Sequence, residues 1–190
     1  MSLPERSFNG FKLRVLTIKD AKDYYQIGKN SKNIEYLTWY PFKSVRDAKK
    51  QLNQMYLRKA NYGQLDGYAI VDVKLKKMIG IIEFHTINSF AKTAHIGYLL
   101  HQDYWNQGIT SRALKELIQV GFEYFMFNKL FITTVKENIG SRKVCEKNDF
   151  KLIEIKPHFH YYEKHNTYHD LYIYTLERKD YYDSKTKGNL

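Results

Sequence analysis

Tyr98-Leu99-Leu100-His101-Gln102-Asp103-Tyr104-Trp105-Asn106-Gln107-Gly108-Ile109-Thr110-Ser111-Arg112-Ala113-Leu114 carries three signals in one run. It opens as the end of a β-rich segment, Thr93 to Leu100, passes through a turn containing Gly108, and enters a helix at Ile109. Ala113, Leu114, Leu117, Ile118, Gly121, Phe122 and Phe125 recur at three-and-four spacing, with Arg112, Lys115, Glu116, Gln119 and Glu123 opposite. That is the pattern of an amphipathic helix laid on a sheet. A strand end, a glycine turn and a helix start together aim backbone N–H groups and a positive dipole end at one spot, which suits a phosphate. The same glycine also serves plain strand-to-helix geometry, so on this stretch alone both readings stand.

Working outward, Phe11 to Thr17 alternates as a strand, Asp20 to Gly28 has helical spacing with Asp20 placed to cap it, and a short helical stretch runs to about Leu37. Trp39-Tyr40-Pro41-Phe42 interrupts the pattern, and Ser44 then caps a second helix expected to reach Lys59. Gly67 to Val73, Met78 to His85 and Thr93 to Leu100 read as an antiparallel meander. After the long helix come a strand at Leu130 to Val135, a short helix at Ile139 to Asn148 capped by Asn138, and strands at Phe150 to Ile155 and Tyr168 to Leu176. The expected order is β-α-α-β-β-β-α-β-α-β-β. We expect one domain over residues 1–178 and a solvated tail over 179–190.

Composition narrows the class. The chain has 190 residues with 43% hydrophobic and 27% charged, and its 17 Tyr, 11 Phe and 2 Trp supply a sizeable core. No apolar run approaches the ~18 residues of a membrane helix, and the first residues lack a signal-peptide stretch. With a lone Cys145, these features lead us to expect a soluble, cytoplasmic protein without membrane association, disulfide framework or Cys-based metal ribbon. The 31 basic against 20 acidic residues give a net charge of +11, a field that attracts anions: nucleotides, nucleic acid or ribosome.

Two motifs now carry a resemblance. The run from Tyr98 to Leu114 quoted above, together with Asn138-Ile139-Gly140-Ser141-Arg142-Lys143-Val144-Cys145-Glu146-Lys147-Asn148-Asp149-Phe150, resembles the GNAT superfamily of acetyl-CoA-dependent N-acetyltransferases, in its RimJ/RimL-type branch. The resemblance covers the chain in element order. It implies an α/β (α+β) GNAT fold with a mixed, mostly antiparallel central sheet flanked by helices. It further implies that acetyl-CoA is the acyl donor, with Asn106, Gln107, Gly108, Ile109, Thr110 and Ser111 holding its diphosphate through main-chain amides. Tyr98, Leu99 and Leu100 match the strand that pairs with pantetheine and polarises the thioester. Asn138 matches a residue that meets the pantetheine arm, and Ser141 a serine that assists the leaving thiolate. Trp39, Tyr40 and Phe42 match the acceptor-side loop. The departures are Thr110 in place of a small residue, Arg112 in place of glutamate, His95 where relatives often carry glutamate, Cys145 in place of a tyrosine, and Asp149 in place of glycine.

The chemistry ranks the remaining groups. Acetyl transfer needs a neutral amine, a donor for the oxyanion and a proton for a thiolate whose pKa is about 8.5. His95 is a suitable base, and Glu83 on the neighbouring strand is the carboxylate alternative. Ser141 is too weak an acid to be more than a hydrogen-bond donor or relay. The bland readings are a solvent-facing His95, Asn138 as a cap only, Ser141 as an ordinary helix residue, and Trp39, Tyr40 and Phe42 as core. Arg142 and Lys143 either meet the 3′-phosphate of CoA or form a solvated face. Cys145 reads as packing, so direct transfer is expected over a covalent acyl-enzyme. His158, His160, His165 and His169 admit a metal reading, but a lining for the acceptor channel fits better and no metal is expected. The expected acceptor is a protein N-terminal α-amine, with association to the ribosome as monomer or homodimer. The rivals are a small amine (polyamine, aminoglycoside or amino acid) and a non-catalytic acyl-CoA or RNA-binding module.

Overall fold

The computed structural model describes residues 4–58 and 67–187. Among them are strands β1 (Arg6–Phe8), β2 (Phe11–Val15), β3 (Gly67–Asp72), β4 (Lys77–Asn88), β5 (Thr93–Leu100), β6 (Lys129–Val135), β7 (Lys151–Tyr162) and β8 (Thr167–Glu177). The α-helices are α1 (Ala21–Gly28), α2 (Val45–Leu52), α3 (Ile109–Gln119), α4 (Ile139–Lys147) and α5 (Arg178–Lys187). The strands follow the order β1-β2-β3-β4-β5-β6-β8-β7. The pairs β1–β2, β2–β3, β3–β4, β6–β8 and β7–β8 are antiparallel, whereas β5 with β6 is parallel, its ladder running Thr93↔Lys129, Ala94↔Leu130 and His95↔Phe131. The mixed, mostly antiparallel sheet with flanking helices is the expected fold class. The residues gather in two compact units, one up to Glu83 with Tyr98–Ala113, the other Phe84–Gly97 with the residues from Leu114 on.

In the N-terminal unit, Leu16, Tyr24, Ile27, Phe42, Leu52, Val71, Met78 and Ile81 form a core with Trp39 and Tyr56 packed against it. Trp39 stacks on Phe42 at 4.7 Å and 16°. Both lie over Gly28, where a Cβ would collide with the Phe42 ring. Glycine is therefore needed there for close approach. The entry to α1 differs from the expected cap: Asp20 sits at the third position of a 3₁₀ turn, Ile18–Asp20, and accepts from the Thr17 N–H at 2.7 Å. It also pairs with Arg14 at 2.6 Å. Ser44 caps α2 as expected, its Oγ accepting from Asp47 N–H at 3.2 Å. That helix gives way at Asn53 to a π-turn ending at Leu57; Lys59, its expected end, lies outside the described residues.

In the C-terminal unit, α3 buries Leu114, Leu117 and Ile118 as its spacing predicts. Phe84 meets Phe125 and Phe127 edge-on at 5.6 and 5.3 Å. α4 ends as a Schellman motif: Phe150 N–H donates to Cys145 O at 3.1 Å and Asp149 N–H to Glu146 O at 3.3 Å. Asp149 adopts φ +61 there, which accounts for glycine being usual at this place and marks a local strain of about 1 kcal/mol. β7 is twice as long as its expected six residues because Pro157 falls at an irregularity between Lys156 and His160 rather than ending the strand.

The described part of the expected solvated tail is helical, in α5, which begins at Arg178 and leaves Lys179 and Tyr182 to Thr186 exposed. Its sequence is polar all round, so tertiary contacts hold it. Tyr181 Oη donates to Glu123 at 2.6 Å, Lys185 Nζ donates to the same carboxylate at 2.5 Å, and the Tyr181 ring lies 5.2 Å from Phe122.

Two outcomes follow. Asp149→Gly raises stability by about 1 kcal/mol, seen as a higher denaturant midpoint; an unchanged or lower midpoint contradicts the strain. Hydrogen bonds from Lys185 and then Tyr181 hold the Glu123 carboxyl down from 4.5 to about 2. The depressed folded-state pKa makes this contribution full above about pH 4.5 and lost as pH falls toward 2. The protection of the α5 amides, taken relative to intrinsic exchange at each pH, should therefore fall as pH drops across that window in the wild type, and Glu123→Gln should remove that fall.

Candidate active site

The turn after β5 is fixed by side chains that reach into its backbone. Asn33, buried, donates from Nδ2 to Ile27 O at 2.8 Å, and its Oδ1 accepts from Gln102 N–H at 2.8 Å. Tyr104 Oη donates to Asp72 at 3.3 Å, and the Trp105 indole N–H donates to Leu100 O at 2.9 Å. The chain then takes two left-handed residues, Asn106 (φ +60) and Gly108 (φ +72), with Gln107 between them. Alternating hands of this kind turn successive N–H groups toward one side of the loop. Gln107 Nε2 donates to Asp103 O at 2.9 Å.

Gly108 O accepts the first bond of α3, from Arg112 N–H at 3.1 Å. Buried Ile109 and Ala113 fasten the underside of the helix start. The first-turn amides of a helix have no intrahelical acceptor, so the expected loop, Asn106 to Ser111, ends on an amide-rich positive terminus. Thr110 lies within the helix without interrupting it.

Tyr98, Leu99 and Leu100 form the last turns of the pleat in β5. Gly80 on β4 faces the Leu99 carbonyl so closely that a Cβ there would collide with that oxygen, and His101 N–H donates to Ile79 O at 2.8 Å. Glu83, near the N-terminal unit's end of β4, is hydrogen-bonded by the phenol of Tyr56. Burial, then the Glu83 charge, pushes Tyr56 well above its ordinary range. The phenol therefore stays a donor. Tyr24 Oη accepts from Gln51 at 3.2 Å beside it. Of the three aromatics expected at the acceptor, Phe42 is buried and Trp39 stacks on it, while Tyr40 is exposed. Packing therefore accounts for two of them.

In the C-terminal unit, Asn138 both caps and starts α4: its Oδ1 accepts from Ser141 N–H at 3.1 Å and its backbone carbonyl from Arg142 N–H at 3.1 Å. Ser141 and Cys145, one turn apart on that helix, are buried. The two cations that follow Ser141 part company. Arg142 donates to Lys136 O at 3.2 Å, lies 4.8 Å over the Tyr172 ring and is hydrogen-bonded to Tyr174. Lys143 stays exposed. His95 is not the solvent-facing residue of the bland reading: its ring lies 5.1 Å from Phe131, nearly parallel, and 5.6 Å from His85. Burial lowers its pKa below 6.5, so the imidazole is neutral at pH 7. Sequence reasoning missed Asn33 and Tyr56. Neither lies in a motif, and both act through partners distant in the chain.

A family model described as an acetyltransferase (GNAT) domain matches residues 11–151. The ribosomal-protein-serine acetyltransferase of Escherichia coli is 30% identical over 144 residues, 74% of this chain and 78% of that protein. The spermidine N(1)-acetyltransferase of Escherichia coli is 25% identical over 146 residues, 77% of this chain and 75% of that protein. Among solved structures, RimL, the ribosomal L7/L12 α-N-protein acetyltransferase in complex with coenzyme A, superposes with a TM-score of 0.82 at 23% identity, covering 92% of this chain and 98% of that one.

The two glycines flanking this region should behave differently. Gly80→Ala forces Leu99 O to move and costs about 1–3 kcal/mol. Gly108→Ala meets open space and pays only the left-handed penalty, about 1 kcal/mol. Urea unfolding of both variants tests the order, and an equal or reversed ranking contradicts the close approach of β4 to β5.

Proposed function

We propose that this chain, which belongs to the GNAT acetyltransferase family, moves the acetyl group of acetyl-CoA directly onto a protein N-terminal α-amine, as ribosomal-protein acetyltransferases do. The observation that carries the cofactor reading is the paired left-handed loop at Asn106 and Gly108 opening onto α3. Its amides, from Asn106 through Ser111, hold the diphosphate. The backbone of Tyr98, Leu99 and Leu100 pairs with pantetheine and orients the thioester carbonyl. Asn138 spends its Oδ1 on the cap and has its Nδ2 hydrogens for the pantetheine arm, so cap and cofactor contact are compatible. Lys143 is the cation for the 3′-phosphate, because Arg142 is engaged with Tyr172 and Tyr174.

In the transfer, the amine lone pair forms a C–N bond at the thioester carbon and the C–S bond breaks. The nitrogen's second proton passes to the sulfur. A serine hydroxyl is too weak an acid to give up its proton outright, so Ser141 works as a donor to the thiolate that is refilled as it gives. His95, neutral by burial, or Glu83, oriented by Tyr56, takes that second proton from the nitrogen and passes one on to refill Ser141, so that one proton in all goes from nitrogen to sulfur.

The acceptor class follows from proton affinity and charge. At pH 7 roughly a tenth of an α-amine is neutral, against less than about a thousandth of a lysine-like amine. A net charge of +11 also repels a polycation. Likeness to the spermidine enzyme favours the second reading, a polyamine.

A thiol-release assay with acetyl-CoA against N-terminal peptides beginning Ala, Ser, Thr or Met, polyamines, amino acids and aminoglycosides tests this, with CoA binding measured alongside. Turnover on peptides is the expected result. Turnover on spermidine alone moves the acceptor to the second reading, and CoA binding without turnover on any amine favours a non-catalytic module. Ser141→Ala should lower kcat by about a hundredfold with acetyl-CoA affinity kept; unchanged kcat removes its role.

A further inference from the structure

Positive charge is balanced in one unit and left standing in the other. In the C-terminal unit Lys129 and Lys179 pair with Glu177 at 3.0 and 3.2 Å, Lys151 with Asp180 at 2.8 Å, Lys156 with Glu154 at 3.8 Å and Lys185 with Glu123 at 2.5 Å. In the helical layer of the N-terminal unit, Lys22 on α1, Lys29 at its C-terminal end, Lys32 in the turn that follows, Lys43 just before α2, and Arg46, Lys49 and Lys50 on α2 are all exposed. None of them pairs with a described acid. The Arg14–Asp20 pair of that unit lies in β2 and the turn before α1. Asp23 is taken up by the Met78 N–H at 3.0 Å, so among the described residues of the layer only Glu35 and Asp47 are exposed acids. Lys29 lies 5.5 Å over the Tyr25 ring, a contact that leaves its charge in place.

The cations share the outer side of one layer because α1 and α2 turn inward together. Ala21, Tyr24 and Ile27 of α1 and Ala48 and Leu52 of α2 enter one core. That leaves Lys22 and Lys29, two turns apart, and Arg46, Lys49 and Lys50, at three-and-four spacing, pointing away from it. Like charges so spaced on a helix repel and cost stability, a cost that a bound polyanion removes.

The make-up of the surface says which polyanion. A protein partner needs an apolar centre in its contact area, and here the exposed large hydrophobics come singly from separate elements: Ile18 before α1, Tyr40 in the loop, Val45 at the start of α2 and Met55 in the π-turn after it. Nucleic-acid interfaces are polar and strongly basic. Lysine meets a phosphate as a point charge, and an exposed aromatic ring among such cations is a stacking platform for an unpaired base. Tyr40, 55% exposed, lies between Lys32 and Lys43 in the chain.

We propose that the outer side of α1 and α2 is a docking surface for single-stranded RNA, whose phosphates meet these cations and one of whose bases stacks on Tyr40. The surface is separate from the transfer chemistry and is tested without turnover.

The test is fluorescence anisotropy of a labelled, unstructured RNA of about 20 nucleotides. Wild-type affinity should fall steeply between about 50 and 200 mM salt. R46E/K49E/K50E should weaken binding at least about tenfold at about 100 mM salt and flatten the log–log salt slope by about 2, with the melting temperature kept. K74E/K76E/K77E, which alters net charge equally at exposed positions between β3 and β4, should weaken it by less than about threefold. Tyr40→Ala should cost about tenfold. Equal losses in the two triple variants mean attraction by net charge alone and overturn the surface, as does an affinity too weak to measure at about 50 mM salt. R46Q/K49Q/K50Q removes the charges without crowding acids around Asp47 and should show the same loss in smaller measure; wild-type binding by that variant overturns the proposal. Polyglutamate that displaces the RNA as well as unlabelled RNA of equal charge does moves the partner to an acidic protein and overturns the RNA assignment.

Discussion

The two hydrogen bonds of the Asn33 carboxamide tie the turn after β5 to α1. One end takes up the Ile27 carbonyl near the end of α1, the other the Gln102 amide at the start of the turn. Asn33 is buried, so losing it strands a carbonyl and an amide at about 1–3 kcal/mol each. Leu99, at the end of β5, adds apolar packing against the same core that holds Tyr24 and Ile27 of α1. The Trp105 indole bond to Leu100 and the Gly108 carbonyl at the head of α3 then only continue a path whose beginning is fixed.

With the path fixed, side-chain identity in the loop matters less than backbone hand. Asn106 and Gly108 need a left-handed conformation, and asparagine and glycine are the residues that reach it most cheaply. Thr110 could depart from the usual small residue because it is a helix position. Asp149 departs at a position that does require positive φ, and the Schellman bonds around it keep the turn in place despite the strain. The departures from the family pattern are thus tolerated for different reasons, one because the site is permissive and the other because neighbouring hydrogen bonds over-determine it.

The sequence is locally legible where local forces decide. The spacing of Ala113, Leu114, Leu117 and Ile118 is a property of α3 itself, and the Asn138 and Ser44 caps satisfy amides within three residues. The sequence was silent where partners come from afar. β1 is only three residues long. α5 has no apolar stripe, and Tyr181 and Lys185 find Glu123 across some sixty positions. Trp39 and Phe42 looked like a surface loop because the space they fill is made by an absence, the missing Cβ of Gly28. Arg142 looked interchangeable with Lys143 until β8 placed two tyrosines against it. The candidate site divides in the same way: its backbone elements were legible as motif, while Tyr56 beside Glu83 and the rings around His95 depend on tertiary neighbours.

Amine acetylation asks the protein to manage two protons of very different kinds, which explains why no single strong acid or base need stand in the motifs. The first belongs to an ammonium and must leave before the nitrogen has a lone pair, so its cost falls as the acceptor's own pKa approaches the ambient pH. The second leaves a nitrogen already bonded to the carbonyl carbon, which is far more acidic, and is destined for a thiolate only weakly basic. A neutral imidazole or an oriented carboxylate is sufficient for that second transfer, and a serine can conduct it. The demand for a tuned acceptor therefore concentrates on the first proton. For an α-amine, whose own pKa is about 7.7 to 8.0, that demand is small near neutrality. For a lysine-like amine the mismatch grows by more than two pKa units, about 3 kcal/mol, and a site without a stronger base would need an acidic pocket around the substrate to compensate.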